Sequence, residues 1–364
     1  MDIVALSHLR WDFVYQRPQH LFSRAARDHR VLFVEEPVDG DEFGFDERQV
    51  LPNVTVLLPR VPASMPASHR EASLAVELRH RVRAWTERPP VVWHYSVMAE
   101  PLSRHIDAAA VVFDCMDELS AFRDAPPELL ARERDLIARA DLVFTGGHSL
   151  WEAKRSLHPS VHAFPSSVDV PHFAAARREQ PEPPSMRGIA RPRLIYAGVI
   201  DERIDLSLLS RLARSEIGEV VLAGPTAKID PNDVPRHARL HQLGMQPYAD
   251  LPSLFGHADV GLMPFAMNAA TRFISPTKTP EYLAAGLPVV STPIADVVRS
   301  YGDLPSVRIV AEPGAFIAAC EQAIATRRPD AAADERLAGM SWDATWAAME
   351  RLILAVAGSA VSAA

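Results

Sequence analysis

The chain has 364 residues, of which 48% are hydrophobic and 23% charged, a composition that fits a folded globular protein of roughly two domains. It carries 38 Lys and Arg residues against 46 Asp and Glu residues, and the net charge of -8 argues against nucleic acid as a partner. Its two cysteines, Cys115 and Cys320, are too few for a disulfide framework or a four-ligand zinc site.

Short apolar runs alternate with longer amphipathic segments along the first half, a pattern typical of βαβ units and a parallel sheet. The strands predicted here are residues 3–6, 31–34, 54–58, 91–93, 111–113 and 142–144. Helices are predicted around residues 74–85, where apolar residues recur at three- to four-residue spacing, and from 126 to 136. Neither a signal peptide nor a membrane-spanning stretch is recognised, which favours a cytoplasmic protein.

A stretch rich in Pro, Arg and Glu interrupts this alternation and is interpreted as an interdomain linker. The strands predicted after it are residues 194–197, 220–223, 260–263, 289–291 and 307–310. The predicted organisation is an N-terminal α/β domain (1–170), a linker (171–192), a C-terminal α/β domain (193–340) and a C-terminal helix (341–364), which is a candidate to cross back to the first domain. Parallel sheets bind ligands at the carboxyl ends of their strands, so we expect the site between the two domains.

Polar chemistry is concentrated in one stretch of the second half, ADVGLMPFAMNAATRFISPTKTPEYLAAGLPVVST. A predicted strand leads through a polar loop to a helix that begins near Thr277. Free N–H groups at a helix start attract anions, and the side chains around this start would favour a diphosphate: Ser275, Thr277, Lys278 and Thr279. Glu281 is spaced to accept hydrogen bonds from two ribose hydroxyls. The alternative is a capped helix whose Glu281 only complements the dipole.

This stretch resembles the donor-site region of the GT-B glycosyltransferases, in particular the family-4 group and its bacterial branch that includes the teichuronic-acid enzymes. The other matching words in the second half are LIYAGVIDERIDLSLL, VVLAGP and LGMQPYADLPSLFGHADVGLMPF, and weaker matches in the first half include WDFVYQRPQHLFSRAARDHRVLFVEEP and VVFDCMDELSAF. The resemblance implies an α/β protein of the GT-B fold, with two Rossmann-like parallel-sheet domains facing across a cleft. It also implies that the first domain (1–170) binds the acceptor and the second (193–340) binds the nucleotide-sugar.

The resemblance also implies roles for individual residues of the second half. Glu281 would hold the ribose of the nucleotide, and the Ser/Thr/Lys cluster before it would face the diphosphate. Gly198 and Gly224, in the matching glycine positions after two strands, are further donor-site candidates.

Two departures from the family pattern leave part of the chemistry open. Family-4 enzymes usually carry two glutamates separated by seven residues, and here the first position is Phe273, so the donor sugar and the anomeric outcome stay open. Many members also place Arg and Lys after the glycine of the first strand of this domain, where this chain has Val199 and Ile204. Arg203 is the nearest replacement for their phosphate-binding charge, and a solvated charge at a helix start is the alternative.

The first half supplies candidates for the acceptor side and for catalysis. Asp117 follows the predicted strand 111–113, where a general base for an acceptor hydroxyl would be needed in an inverting transfer, and a helix N-cap is the alternative. Arg17 and His20, in the QRPQH motif, are candidates for acceptor contact and for catalysis respectively, against an alternative of capping and packing. Gly146 and Gly147 permit close backbone approach to an acceptor, although a tight turn explains them as well.

The function predicted from these residues is a metal-independent glycosyltransferase of the hexosyltransferase type, without a cofactor. It would move a sugar from a nucleotide-diphosphate sugar to a saccharide, lipid-linked or small-molecule acceptor, in bacterial cell-surface polysaccharide or glycoconjugate synthesis. The alternatives are a sugar-nucleotide epimerase of the same fold and a non-catalytic nucleotide-sugar-binding module. No His-Glu-x-x-His motif, dinucleotide fingerprint or P-loop is present in the sequence.

A basic helix in the first half raises a separate hypothesis about location. Its arginines would favour peripheral contact with an anionic membrane, on the inner face: Arg79, Arg81, Arg83 and Arg88. Interspersed glutamates dilute this charge, so a solvated helix face is the favoured interpretation. The oligomeric state is left open.

Overall fold

The computed structural model describes residues 1–326 and 328–363 and divides the chain into two compact units. The first unit comprises residues 1–120, 124–165 and the segment from 342 onward; the second comprises 121–123 and 166–341. The boundary thus lies before the predicted linker, whose residues belong to the second unit. The physical reason is burial, because Phe173 and Met186 are fully enclosed in that unit's core.

The first unit is built on a nine-stranded sheet. Its strands are β1 (Asp2–Ser7), β2 (Arg30–Glu35), β3 (Val38–Gly40), β4 (Gly44–Leu51), β5 (Val54–Pro62), β6 (Val91–His94), β7 (Ala110–Cys115), β8 (Leu142–Thr145) and β9 (Val161–Ala163). Its first helices are α1 (Arg17–Ala25), α2 (Ala67–Trp85), α3 (Glu100–Ser103), α4 (Leu129–Arg139) and α5 (His148–Lys154).

The strand order of this sheet is β3-β5-β2-β1-β6-β7-β8-β9, with β4 added antiparallel to β5. All other neighbouring pairs are parallel, and β1 pairs on both sides, Ile3 lying opposite Val31 and Val91. The order reverses between β1 and β6, so the loops that follow these two strands flank the position where such sheets bind ligands.

The second unit is built on a six-stranded parallel sheet of order β12-β11-β10-β13-β14-β15. Its strands are β10 (Arg193–Ala197), β11 (Glu219–Ala223), β12 (Leu240–Gly244), β13 (Val260–Met263), β14 (Val289–Ser291) and β15 (Val307–Ile309). Its helices are α6 (Val170–Ala174), α7 (Leu206–Arg214), α8 (Leu251–Gly256), α9 (Lys278–Ala284), α10 (Ala295–Tyr301), α11 (Pro313–Ala325) and α12 (Ala331–Ala338). This is the doubly wound order 3-2-1-4-5-6, which reverses between β10 and β13.

The C-terminal helix α13 (Trp342–Ala363) belongs to the first unit and packs along α1. Arg24 and Arg27 both bind the carboxylate of Asp343, at 2.8 and 2.5 Å. The ring of Trp342, the first residue of α13, stacks on the His20 ring with a centroid separation of 4.6 Å. The core of the first unit is therefore completed by the last segment of the chain.

Candidate active site

Glu281 and Lys278 form a close ion pair in the first turn of α9. The Lys278 Nζ donates to Glu281 Oε2 at 2.6 Å, and Glu281 is only 3% exposed. Burial raises the pKa of Glu281, while the charge of Lys278 acts in the opposite direction. Because an ammonium has three N–H donors and this bond uses one of them, Lys278 can still donate to a second anion.

The hydroxyl residues around this helix start differ in their surroundings. Thr277 occupies the N-cap position with helical backbone angles and makes no side-chain capping bond. The Ser275 carbonyl accepts a hydrogen bond from the Ser166 hydroxyl at 2.8 Å, which fixes the end of the loop. Thr279 is fully buried, and its hydroxyl lacks a hydrogen-bond partner within the described part of the chain. The helix has seven residues, and the unit charges of Lys278 and Glu281 exceed the roughly half charge of a helix dipole.

Tyr282 fixes α9 against the sheet, next to Glu281. Its hydroxyl accepts a hydrogen bond from the Ala197 amide at the end of β10, at 2.8 Å. Its ring lies over Gly261 in β13, where an added Cβ would be 2.5 Å from the ring carbon Cδ2. The helix can approach the sheet this closely because Gly261 has no side chain, and Glu281 is held at the carboxyl edge, beside the reversal of strand order.

Gly198 and Gly224 lie at the carboxyl ends of β10 and β11, where the two backbones touch. The Gly198 amide donates to the Ala223 carbonyl at 2.9 Å, and a Cβ on Gly224 would be only 1.9 Å from the Gly198 carbonyl oxygen. Any side chain at Gly224 would force the two loops apart. Close packing of the two loops thus explains why residue 224 is a glycine. Ligand contact by Gly198 and Gly224 stays a prediction.

Arg203 is engaged with a carboxylate on its own loop. Its guanidinium bonds both oxygens of Asp201, with distances between 2.7 and 3.1 Å, and it lies 5.6 Å from the centre of the Phe122 ring. The loop is tied to the loop after β13, since Ala266 donates to the Arg203 carbonyl at 2.8 Å. Arg203 is accordingly not the solvated charge of the alternative interpretation, and Asp205 provides the N-cap of α7.

In the first unit, Arg17 forms a buried ion pair with Asp114. Its Nε and Nη2 atoms donate to the carboxylate at 3.0 and 2.9 Å, and its Nη1 donates to the Phe164 carbonyl at 2.8 Å. Arg17 is 3% exposed and Asp114 is completely buried. The pair joins the start of α1 to the end of β7. All three side-chain nitrogens of Arg17 donate to groups of the protein itself. Acceptor binding by Arg17 stays a prediction.

His20 and Asp117 differ in exposure. His20 is 2% exposed, stacked on Trp342 and edge-on to Tyr15 at 4.7 Å, so its ring is part of the packing beneath α13. Asp117 is half-buried in the bend after β7, and its carbonyl accepts a hydrogen bond from the Leu119 amide at 3.1 Å. Of the two, Asp117 is the more accessible to a substrate.

Gly146 and Gly147 connect β8 to α5. A Cβ at Gly146 would lie 2.8 Å from the carbonyl oxygen of Met116, so this glycine allows the loops after β7 and β8 to touch. Gly147 holds the N-cap position of α5 in an extended conformation. The turn thus supports the bend that carries Asp117, and a direct contact of either glycine with an acceptor stays a prediction.

A charged cluster next to Asp117 was not predicted from the sequence. Lys154 at the end of α5 donates to both Glu118 and Glu133 at 2.7 Å, and it is only 6% exposed. Burial raises the pKa of Glu133, and Lys154 opposes that shift. A signal was available, because Lys154 follows the buried Leu150 by four residues and therefore lies on the same helix face.

Within residues 1–326 and 328–363, no group of three or more His, Cys, Asp or Glu side chains could hold a metal ion. In the same part of the chain, no helix is long and apolar enough to cross a membrane.

A cavity of about 420 Å³ in the second unit is lined by residues such as Leu287 and Ser306, which precede β14 and β15. It therefore lies at the amino edge of that sheet, away from Glu281.

Two doubly wound, mainly parallel sheets in one chain are the architecture of the GT-B fold. Solved structures agree over nearly the whole chain. Sucrose-phosphate synthase from Thermosynechococcus elongatus matches with a TM-score of 0.71 and 15% identity, covering 98% of this chain and 99% of that one. The UDP-forming α,α-trehalose-phosphate synthase from Burkholderia xenovorans, in complex with glucose-6-phosphate, matches with a TM-score of 0.64 and 13% identity, covering 97% and 99%.

A curated relative is similar in sequence as well. A glycosyltransferase assigned to teichuronic acid biosynthesis in Bacillus subtilis strain 168 is 25% identical over 234 residues. This match covers 59% of the chain and 58% of the relative. No family model matches the chain. The resemblance to the GT-B glycosyltransferases inferred from the sequence is confirmed by these comparisons, and the fold prediction with it.

Proposed function

We propose that the protein is a glycosyltransferase that uses a nucleotide-diphosphate sugar as donor. The observation that carries this proposal is the Lys278–Glu281 ion pair, with its buried carboxylate, at the carboxyl edge of the second sheet. A carboxylate in that position can accept hydrogen bonds from two vicinal ribose hydroxyls, and the remaining N–H donors of the ammonium can bind the diphosphate. The curated relative, itself a glycosyltransferase, supports the same conclusion.

The mechanism follows from how charge develops during transfer. When the bond from the sugar to the diphosphate breaks, negative charge accumulates on the departing nucleoside diphosphate, and fixed positive groups stabilise that state. Lys278 is such a group, since Glu281 holds its ammonium in place at 2.6 Å. The transfer is proposed to be metal-independent and free of a cofactor, because Lys278 supplies positive charge where a metal ion would otherwise do so.

The other donor-site candidates would each contribute a different group to donor binding. Thr279 offers a buried hydroxyl whose hydrogen bonding is unsatisfied in the described protein, and a ligand atom could satisfy it. Arg203 would act on the diphosphate only by sharing its guanidinium with Asp201, so we assign it a supporting electrostatic role. Gly198 and Gly224 would contribute backbone groups at the carboxyl ends of their strands.

For the acceptor we propose a saccharide, lipid-linked or small-molecule hydroxyl compound, and Asp117 as the general base if the transfer is inverting. Asp117 is half-buried rather than sealed in the core, which leaves its carboxylate accessible to an acceptor. Arg17 and His20 are enclosed by their own contacts, so they would position the acceptor side through α1. A role in cell-surface polysaccharide or glycoconjugate synthesis in the cytoplasm is proposed from the curated relative's assignment to teichuronic acid biosynthesis.

One observation favours a second candidate, a nucleotide-sugar-binding module without catalysis. Phe273 stands where family-4 relatives usually carry a glutamate, and its ring is covered by the Arg272 guanidinium at 5.1 Å. An aromatic ring cannot accept the hydrogen bonds of a donor sugar as a carboxylate does. Donor binding without release of the nucleoside diphosphate in the presence of acceptor extracts would support this module and contradict the transferase.

A thermal-shift screen with UDP, GDP, ADP, CMP and dTDP tests the donor site. A nucleotide that binds only the folded protein stabilises it by about 2.7 kcal/mol at a concentration of 100 times Kd, so one nucleotide should raise the melting temperature. Glu281→Gln and Lys278→Met should each make that shift much smaller. Glu321→Gln, an exposed change of the same kind in α11, is the matched control and should retain it. The donor site is wrong if no nucleotide produces a shift at saturation.

A further inference from the structure

Three arginines line a small cavity in the first unit, on a part of the surface that the proposed transfer does not use. The cavity has a volume of about 210 Å³, and its lining includes Arg79, Arg83 and Arg88. Arg79 and Arg83 are four residues apart in α2 and share one helix face, while Arg88 follows the end of the helix. Pro90, which also lines the cavity, directly precedes β6, so the cavity lies at the amino edge of the sheet.

The guanidinium groups of these three arginines carry no ion pair or hydrogen bond to any residue that the structure describes. The Nε of Arg79 is in addition buried, so solvent does not satisfy it. Buried N–H donors are nearly always bonded, and an unsatisfied one on a charged group is a place where an acceptor would bind favourably. Two acidic residues, Glu87 and Asp107, also line the cavity, but both are exposed and neither is paired with an arginine.

Arg81, on the same helix, differs from the cavity arginines because its guanidinium has partners within the protein. Its Nε donates to Glu77 at 3.0 Å, and its guanidinium lies 5.0 Å from the centre of the Phe45 ring. Within α2, Arg70 and Arg81 are therefore bonded to other groups of the protein, whereas Arg79 and Arg83 at the cavity are not.

We propose that this cavity binds a phosphoryl group, either free phosphate or the phosphate of a larger molecule. Guanidinium forks match the geometry of phosphate oxygens, and three of them supply the positive charge that a dianion requires. The volume is below the roughly 300–1,000 Å³ of sites that enclose a whole small molecule, so only the phosphoryl group would be enclosed. The site shares no residue with the proposed transferase site, and each can fail without the other.

Isothermal titration calorimetry of the full chain with inorganic phosphate, at low ionic strength, tests the site directly. We expect saturable binding that Arg83→Gln and Arg88→Gln each weaken about tenfold, the loss of roughly one charged hydrogen bond. Arg81→Gln removes the same charge from the same helix and should leave the affinity unchanged. Both cavity arginines are exposed, so their variants should fold, and thermal melts check this.

Vesicle sedimentation distinguishes a lipid headgroup from a soluble phosphate. If the phosphoryl group belongs to a lipid, the protein sediments with phosphatidylglycerol vesicles and not with phosphatidylcholine vesicles, and Arg83→Gln and added phosphate both reduce the bound fraction. Calorimetric binding without sedimentation indicates a soluble ligand. The proposal is overturned if neither assay detects binding, or if Arg81→Gln weakens binding as much as the cavity variants, since the attraction would then be diffuse.

Discussion

Removal of the Arg17 side chain, for example by Arg17→Met, should destabilise the first unit strongly. The change leaves the carboxylate of Asp114 at 0% exposure without its counter-charge and also strips a hydrogen bond from the Phe164 carbonyl. Breaking a buried pair by removing one partner costs about 3–5 kcal/mol. For a domain of roughly 150–250 residues, 1 kcal/mol lowers the melting temperature by about 2–4 °C, so we expect a decrease of roughly 6–20 °C.

Tryptophan fluorescence measures this effect in the affected unit alone. The six tryptophans are residues 11, 85, 93, 151, 342 and 346, and all of them belong to the first unit. Circular dichroism follows both units, so the fluorescence transition should move to lower temperature while part of the dichroism transition stays in place.

A double variant separates the ion pair from simple loss of packing. Arg17→Met/Asp114→Leu removes both charges, and replacing a buried pair by apolar groups is often neutral. The double variant should therefore recover most of the stability that Arg17→Met loses. The reasoning is refuted if the single variant costs less than about 1 kcal/mol, or if the double variant is no more stable than the single one.

Three further predictions concern single positions. Lys154→Met leaves Glu118 and Glu133 without their shared cation and should lower the fluorescence melting temperature as much as Arg17→Met does. A smaller decrease in melting temperature would contradict a stabilising role for the Lys154 cluster. Burial raises the pKa of Glu281, and ribose hydroxyls bind its ionised form, so nucleotide affinity should fall by up to about tenfold per pH unit below that pKa. Nucleotide titrations from pH 8 to 5 should show this loss of affinity for the unmodified protein and not for Glu281→Gln. Gly224→Ala should lower the dichroism melting temperature because its Cβ would lie 1.9 Å from a carbonyl oxygen, whereas Gly314→Ala, with no atom within 4 Å of the added Cβ, should not.

The sequence predicted the sheets well because their strands are buried on both faces. Such strands are continuous apolar runs. Each predicted run lies inside an observed strand or extends one residue past its end. The four missed strands lack this signal: β3 and β9 have three residues each and none buried, β4 is largely exposed and polar, and β12 alternates. Helix α4 begins at Leu129 rather than residue 126, since the two prolines before it occupy a turn.

The candidate site was predictable where it depends on short spacing. Lys278 and Glu281 are three residues apart in a helix, and that spacing brings the two side chains together. The pairing of Arg17 with Asp114 spans 97 residues of sequence, and only the fold brings the two together. The interpretation of Arg203 as a solvated charge overlooked Asp201, two residues earlier, whose carboxylate is close enough to bind it locally.

The membership of α13 in the first unit has a consequence for how the chain folds during synthesis. Most of the first unit is translated before residue 166, yet the helix that covers His20 and pairs with Arg24 begins only at Trp342. The intervening segment, 166–341, contains nearly all of the second unit and can fold as it emerges. The unit whose synthesis starts first is therefore completed last, and until then it exposes the apolar surface that Trp342 and Trp346 later bury.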